Sequence, residues 1–184
     1  MTTVHPSEII EGVLHVHPKV FSDERGMFLE TWRSDWFPDK DLMVQNNRAD
    51  REINSLVGLH YHLQQSDYWY IPFGIARIVL HDLRIGSPTE GATICKDLGT
   101  DDRSSLGHEG IYIPPGVAHG FAALTDITIT YLVDRFYNPE DELGVAWNDP
   151  IIAAEWGVTQ PILSIRDQTN PQISELDSKI QPAF

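Results

Sequence analysis

Short stretches that alternate apolar and polar residues, or run apolar for a few positions, recur along the chain between turn residues. They include GVLHVH, GMFLETW, SDYWYIPFG, IARIVLHDLRIG, ATICKDLG, GIYIPPG and ITITYLVDRFY. Stretches of this length and alternation suit β-strands. Glycine and proline punctuate them at IGSPTEG, IPPGVAHG and YNPEDE, each a turn. No window sustains a 3.6-residue period, so helices are expected to be few and short. The pattern predicts an all-β chain. Strands of this number and length close best as a jelly-roll barrel or sandwich whose interior can hold a ligand. From about residue 170 the sequence NPQISELDSKIQPAF is polar and aperiodic. One domain over residues 1–170 and a surface tail over 171–184 are therefore expected, with no repeat and no linker.

Strand parity then selects the side chains that share a face. In ITITYLVDRFY, Ile127, Ile129, Tyr131, Val133, Arg135 and Tyr137 fall together, opposite Thr128, Thr130, Leu132 and Asp134. Two tyrosines thus lie on the more apolar face, where core filling with hydroxyls at the rim is the bland explanation. In GLHYH, His60 and His62 share a face opposite Leu59 and Tyr61. A histidine pair inside a barrel needs partners. LQQS reads as a turn that would start the next strand near Asp67 and let it face the pair, and His119 follows a Pro-Pro-Gly turn that would aim it at the barrel mouth.

Composition narrows the partners. Among 184 residues, 27 acidic against 13 basic side chains give a formal charge of −14, which argues against non-specific binding to nucleic acid or an anionic membrane surface. An anionic substrate would need a local basic pocket, for which Arg25, Arg48, Arg51 and Arg166 are candidates. No apolar run approaches the roughly 20 residues that span a bilayer. The single cysteine, Cys95, excludes an internal disulfide and cysteine-rich zinc sites, and the N-terminus lacks a secretory layout, so a cytoplasmic location is expected. Cys95 is read as an inert, partly buried thiol. His5, His15, His17, His81 and His108 are read as surface or rim histidines. The tryptophans are read as packing, with Trp69 the exception beside Asp67, where it could cover a sugar or a base.

The segments GLHYH with its following carboxylate and glycine, and IPPGVAHG, resemble the two motifs of the cupin superfamily. Within it, the order of GVLHVHPKVFSDERGMFLETW, VQNN, GLHYH, DLRIGSPTEG, IYIPPGVAHGFAAL, TYLVDRFYNPEDE, WNDP and LSIRDQTNP resembles the dTDP-4-dehydrorhamnose 3,5-epimerase family from about residue 10 to about residue 171. That resemblance implies a cupin jelly roll working as a homodimer, with the site receiving residues from the neighbouring chain. By position it implies a catalytic set of His60, Asp167 and Tyr131. It implies substrate contacts from Arg25, Glu30, Gln45, Asn47, His119, Tyr137, Glu142 and Arg166. Where the family pattern has an arginine, a glutamine and a lysine, this chain has Val57, His62 and Asp67.

The reaction implied is epimerisation of a dTDP-4-keto-6-deoxysugar at C3, C5 or both. It requires a base beside the 4-keto group, an acid on the opposite face and stabilisation of the enolate between them. His60 held by Asp167 fits the base and Tyr131 the acid, with no cofactor. The departures open an alternative. His60, His62, Asp67 and His119 make a three-histidine, one-carboxylate set for a divalent transition metal, as in an isomerase or oxygenase. In that case Asp167 would orient a ligand histidine. A third possibility is a sugar-nucleotide binder without catalysis.

Overall fold

The computed structural model describes residues 1–38, 40–100 and 107–184. The strands, in chain order, are β1 (Thr3–Pro6), β2 (Leu14–His17), β3 (Val20–Asp23), β4 (Gly26–Leu29), β5 (Gln45–Arg51), β6 (Ser55–Tyr61) and β7 (Asp67–Asp82). They continue with β8 (Thr93–Thr100), β9 (Gly110–Ile113), β10 (Val117–Ala123), β11 (Ile127–Val133), β12 (Leu143–Gly144) and β13 (Ile162–Leu163). Among the described residues the helices are one α-helix, α1 (Ile165–Thr169), and two single 3₁₀ turns at Ser34–Trp36 and Ile173–Glu175. The all-β expectation with few short helices holds.

The long strand β7 organises the molecule. Its first half, from Asp67, pairs with β9 on one side and β11 on the other, and its second half, from Gly74, pairs with β10 and β8. The change of partners falls at Pro72 and Phe73, the exposed pair in an otherwise mostly buried strand. Proline has no N–H to give to a ladder, so it suits the point where one sheet lets go. The result is two sheets joined through β7. One runs β1, β2, β9, β7, β11, β5, and the other runs β8, β7, β10, β6, with β12 and β13 on the far edge of β6. This is the jelly-roll sandwich that the alternation predicts.

Alternate residues divide between the interior and the two outer faces. Trp69, Ile71, Ile78, Leu80, Ile111, Phe121 and Ile129 fill the space between the sheets. Burying each such aliphatic side chain contributes about 1.5–3 kcal/mol relative to leaving it exposed. Leu59, Tyr61 and Val79, of opposite parity, are covered on the outside by Val145, Trp156, Ile173 and Leu176. Tyr68, Tyr70 and Tyr112 are covered by Phe37 and by Trp32 and Trp36. The polar C-terminal stretch is therefore a cover as well as a surface segment. Tyr61 donates its hydroxyl to the Ile180 carbonyl at 3.0 Å, and Ala183 bridges Ile85.

Two expectations about single residues, those for His81 and Cys95, are corrected. His81 is buried, with 2% of its surface exposed, and bonds Thr93 Oγ1 at 2.8 Å, because its strand is covered on both faces. His15 lies at the rim as expected, and it has a carboxylate partner there, Glu109 Oε1 at 2.7 Å across the β2–β9 pairing, which linear spacing does not reveal. Cys95 is exposed, since it points away from the interior of β8. Among the described residues no helix is long and apolar enough to cross a membrane.

Candidate active site

A cavity of about 270 Å³ opens between the sheets, walled by apolar Ala49, Val57, Phe121 and Ile129. Its polar wall holds His60, His62, Asp67, His119 and Tyr131, with Arg51, Gln65, Glu142 and Arg166 nearby. The histidines meet because β6 and β10 approach very closely. Residue Gly58 has φ +118°, and a Cβ there would lie 2.7 Å from Gly120 Cα and 2.8 Å from the His119 carbonyl oxygen. Only glycine fits both the conformation and the gap. The pairing sets His60 against His119.

His60 is 19% exposed, and its Nε2 lies 2.6 Å from Asp167 Oδ1. Asp167 is 3% exposed and is itself fixed by the start of α1. Ser164 caps that helix, accepting the Asp167 N–H at 3.1 Å and donating its hydroxyl to Asp167 Oδ2 at 2.7 Å. The sequence SIRD is thus a Ser-x-x-Asp cap whose acid has one oxygen left for His60. Burial alone would raise the Asp167 carboxyl, but hydrogen bonds from His60 and Ser164 outweigh it and hold it below its ordinary value. An ionised carboxylate only accepts, so Nε2 carries the proton and Nδ1 is the nitrogen with a free lone pair.

His62 and His119 are held differently. His62 Nδ1 donates to the Asp141 carbonyl at 2.7 Å, and His119 Nδ1 donates to the Val117 carbonyl at 3.0 Å. Carbonyls cannot donate, so each Nδ1 bears hydrogen and each neutral ring presents Nε2 as an acceptor. Burial, working with His62 against the opposing pull of Asp67, pushes His119 down to about 4. Asp67, the first residue of β7, accepts from Gln65 Nε2 at 2.9 Å and from Trp69 Nε1 at 3.0 Å. The ligating atoms of His62, Asp67 and His119 all lie within 4.8 Å of one another. His60, whose Nε2 faces Asp167, falls outside this group, so three of the four candidate metal ligands converge.

Tyr131 stands on β11 with Ile129, as parity predicts, and both face the cavity. Burial and then the Asp67 carboxylate push its phenol above the usual value, while Arg51 pulls the other way. The expected alternation stops sooner than predicted, since β11 ends at Val133 and leaves Tyr137 70% exposed beyond it. Arg166 is held to Glu142 Oε2 at 3.1 Å and to the Glu142 and Leu143 carbonyls. Gln45 and Asn47 bond each other at 2.9 Å on β5, where Asn47 pairs with Tyr131, but neither lines the cavity. Arg25 and Glu30 do not line the cavity of this chain. The Arg25 side chain is 90% exposed on the β3–β4 hairpin and paired with Asp23, and Glu30 is paired with Arg33. Gln65 and Arg51 also line the cavity; nothing in the sequence singles out Gln65, and Arg51 stands there only as one of four candidate cations. Arg51 shares parity with Ala49 on β5, which was the available signal.

The chain matches the family described as dTDP-4-dehydrorhamnose 3,5-epimerase over residues 7–175. A dTDP-4-dehydrorhamnose 3,5-epimerase of Neisseria gonorrhoeae is 36% identical over 157 residues, covering 82% of this chain; the chain spans 46% of that relative's length. The structure of NovW, a 4-keto-6-deoxy sugar epimerase from the novobiocin gene cluster of Streptomyces spheroides, superposes with TM-score 0.91 at 30% identity, covering all of this chain and 94% of that one. The dTDP-6-deoxy-D-glucose-3,5-epimerase of Legionella pneumophila, in complex with dTDP-4-keto-L-rhamnose, superposes with TM-score 0.90 at 28% identity and covers 100% and 99% of the two chains.

Proposed function

The chain belongs to the dTDP-4-dehydrorhamnose 3,5-epimerase family, and from that premise we propose that its cavity epimerises a dTDP-4-keto-6-deoxysugar through His60, Asp167 and Tyr131. The enzyme is an isomerase. The observation that carries the residue assignment is the 2.6 Å contact between His60 Nε2 and a buried, ionised Asp167 in the wall of a cavity that Tyr131 shares.

The C–H beside a ketone is acidic because its conjugate base is an enolate. His60 Nδ1 takes that proton, and the imidazolium formed is stabilised by Asp167 through Nε2–H. Asp167 also fixes the tautomer, so the basic lone pair is always on the same atom. The Tyr131 hydroxyl returns a proton to the other face of the enolate, and its raised pKa keeps it protonated at neutral pH. Each inversion leaves His60 as imidazolium and Tyr131 as phenolate, and exchange with solvent water removes the one proton and restores the other before the next turnover. Negative charge develops on the 4-oxygen, and Arg51 is the lining cation with no carboxylate within 4.0 Å among the described residues. Arg51 is therefore assigned to the enolate oxygen, a donor whose loss typically costs about 100 to 1,000-fold in rate.

The active assembly is a homodimer. Val20, Phe21, Met27 and Phe28 project from the β3–β4 hairpin into solvent, as does Arg25, while the cavity lacks Arg25 and Glu30. A second copy that received this hairpin would cover apolar surface and bring those side chains to its partner's cavity. The single cysteine and the acidic composition favour the cytoplasm, with a small nucleotide sugar rather than nucleic acid or membrane as partner.

The test is incubation with dTDP-4-keto-6-deoxyglucose followed by NMR of the sugar ring. Inversion at C3, C5 or both is expected. A substrate that binds but returns with both carbons unchanged would leave a sugar-nucleotide binder in place of an epimerase.

A further inference from the structure

One cluster in the cavity wall is not used by proton transfer. Asp67 is 4% exposed, yet no lysine or arginine lies within 4.0 Å of it among the described residues. Two neutral N–H donors, from Gln65 and Trp69, hold its oxygens in place. Among the described residues its one potentially cationic neighbour within 4.0 Å is His62 Nε2, at 4.0 Å, too long for a hydrogen bond. Buried charges are ordinarily paired or bound to metal. Here three acceptors, the Nε2 atoms of His62 and His119 and the Asp67 carboxylate, face one another with no donor between them.

We propose that His62, Asp67 and His119 bind a divalent first-row transition metal ion in the cavity wall. Two imidazoles and one carboxylate suit iron, cobalt, nickel or zinc better than magnesium or calcium, and they leave coordination positions open on the cavity side. Each ligand already has the outer partner that metal ligands characteristically have. His62 is oriented by the Asp141 carbonyl, His119 by the Val117 carbonyl, and Asp67 by Gln65 and Trp69. These partners fix both tautomers with Nε2 toward the shared centre. With bonds of about 2.0–2.2 Å, ligand atoms on one ion sit about 3 to 3.5 Å apart. From the present spread of 4.8 Å or less, the side chains need to close by about 1 Å, a small torsional adjustment.

The site is independent of the epimerase reading, because His60 and Asp167 supply no ligand. Base and ion use different atoms in the same cavity, and a cation there would offset a buried carboxylate beside Tyr131.

The full-length protein, stripped with a chelator and dialysed, is titrated with Co²⁺ without any sugar. Visible d–d absorption and the cobalt retained after gel filtration are both read. About one ion per chain is expected for the wild type and for His60→Asn, with affinity lower by at least about 100-fold in His62→Gln and in Asp67→Asn. Circular dichroism establishes that each variant is folded, and His119→Asn serves if either of the others is not. No retained cobalt in the wild type would overturn the proposal, as would retention that is unchanged in the folded ligand variants. Neither result depends on turnover, so failure here and failure of the epimerase reading are separate outcomes.

Discussion

His60 and His62 are two residues apart, point into one cavity, and are surrounded in opposite ways. The nitrogen of His60 turned away from the free lone pair meets a carboxylate, Asp167, that is held ionised. The corresponding nitrogen of His62 meets a neutral backbone carbonyl, that of Asp141. A carboxylate partner stabilises the imidazolium that forms when the ring takes a proton, so a ring placed like His60 can cycle a proton. A carbonyl partner fixes the tautomer and leaves the Nε2 lone pair turned to the cavity, an arrangement that suits a ligand. The partner on the far nitrogen, which the His-x-His spacing does not reveal, is what distinguishes the two rings.

The comparison is broken most severely at Asp167. In Asp167→Asn the amide can donate to His60 Nε2 and move the proton to Nδ1, so turnover is expected to fall by about 1,000-fold while substrate still binds. Steady-state kinetics by NMR, with ligand-induced thermal shift for binding, separates the two effects. Asp167 also affects stability with a definite sign. Its folded pKa lies below the ordinary 3.8, so its stabilisation is present above that value and is lost as pH falls through the folded value. Acid titration of Asp167→Asn should lack that part of the wild-type decline.

Tyr131→Phe should reduce net epimerisation by about 100-fold while exchange of the substrate proton with solvent persists, because removal and return are assigned to different groups. Since burial raises the Tyr131 phenol above 10.0, wild-type epimerisation should persist through pH 10 and decline only above it. A decline centred below the ordinary tyrosine value would contradict the assignment. The next effect is structural. Gly58→Ala puts a methyl group against the His119 carbonyl at 2.8 Å and should cost about 2 to 4 kcal/mol, read as a lower urea midpoint. The smallest effect is expected from His62→Gln. That ring is outside the proton cycle, so exchange should stay within about 10-fold of wild type, since no general base is removed.

The two histidine environments also mark what a linear reading can reach. The alternation in GLHYH is enough to put His60 and His62 inside and Leu59 and Tyr61 outside, and the same rule puts Tyr131 beside Ile129. The jelly roll follows from the many short alternating stretches and their turns. What escapes is every feature set by distant chain. Asp167 is 107 residues from His60 and was reached only through family resemblance. The carbonyls of Asp141 and Val117 that fix two tautomers carry no side-chain signal at all. The two-sided covering of β7 buries His81, and the β2–β9 register hands His15 a glutamate. Parity assumes that a strand continues and so groups Tyr137 with Tyr131, and the sequence does not mark the strand's end at Val133. Arg25 and Glu30 match family positions, yet one chain folds them away from its own cavity.

The central claim is that His60, with Asp167 and without a bound ion, removes the proton beside the ketone. The direct measurement is deuterium incorporation from D₂O into C3 and C5 of dTDP-4-keto-6-deoxyglucose, in the presence of a chelator, for wild type and His60→Asn. Wild type should incorporate deuterium undiminished by the chelator, and His60→Asn should lose about 1,000-fold or more of that rate. Wild-type exchange abolished by the chelator, or exchange in folded His60→Asn at the wild-type rate, would contradict it.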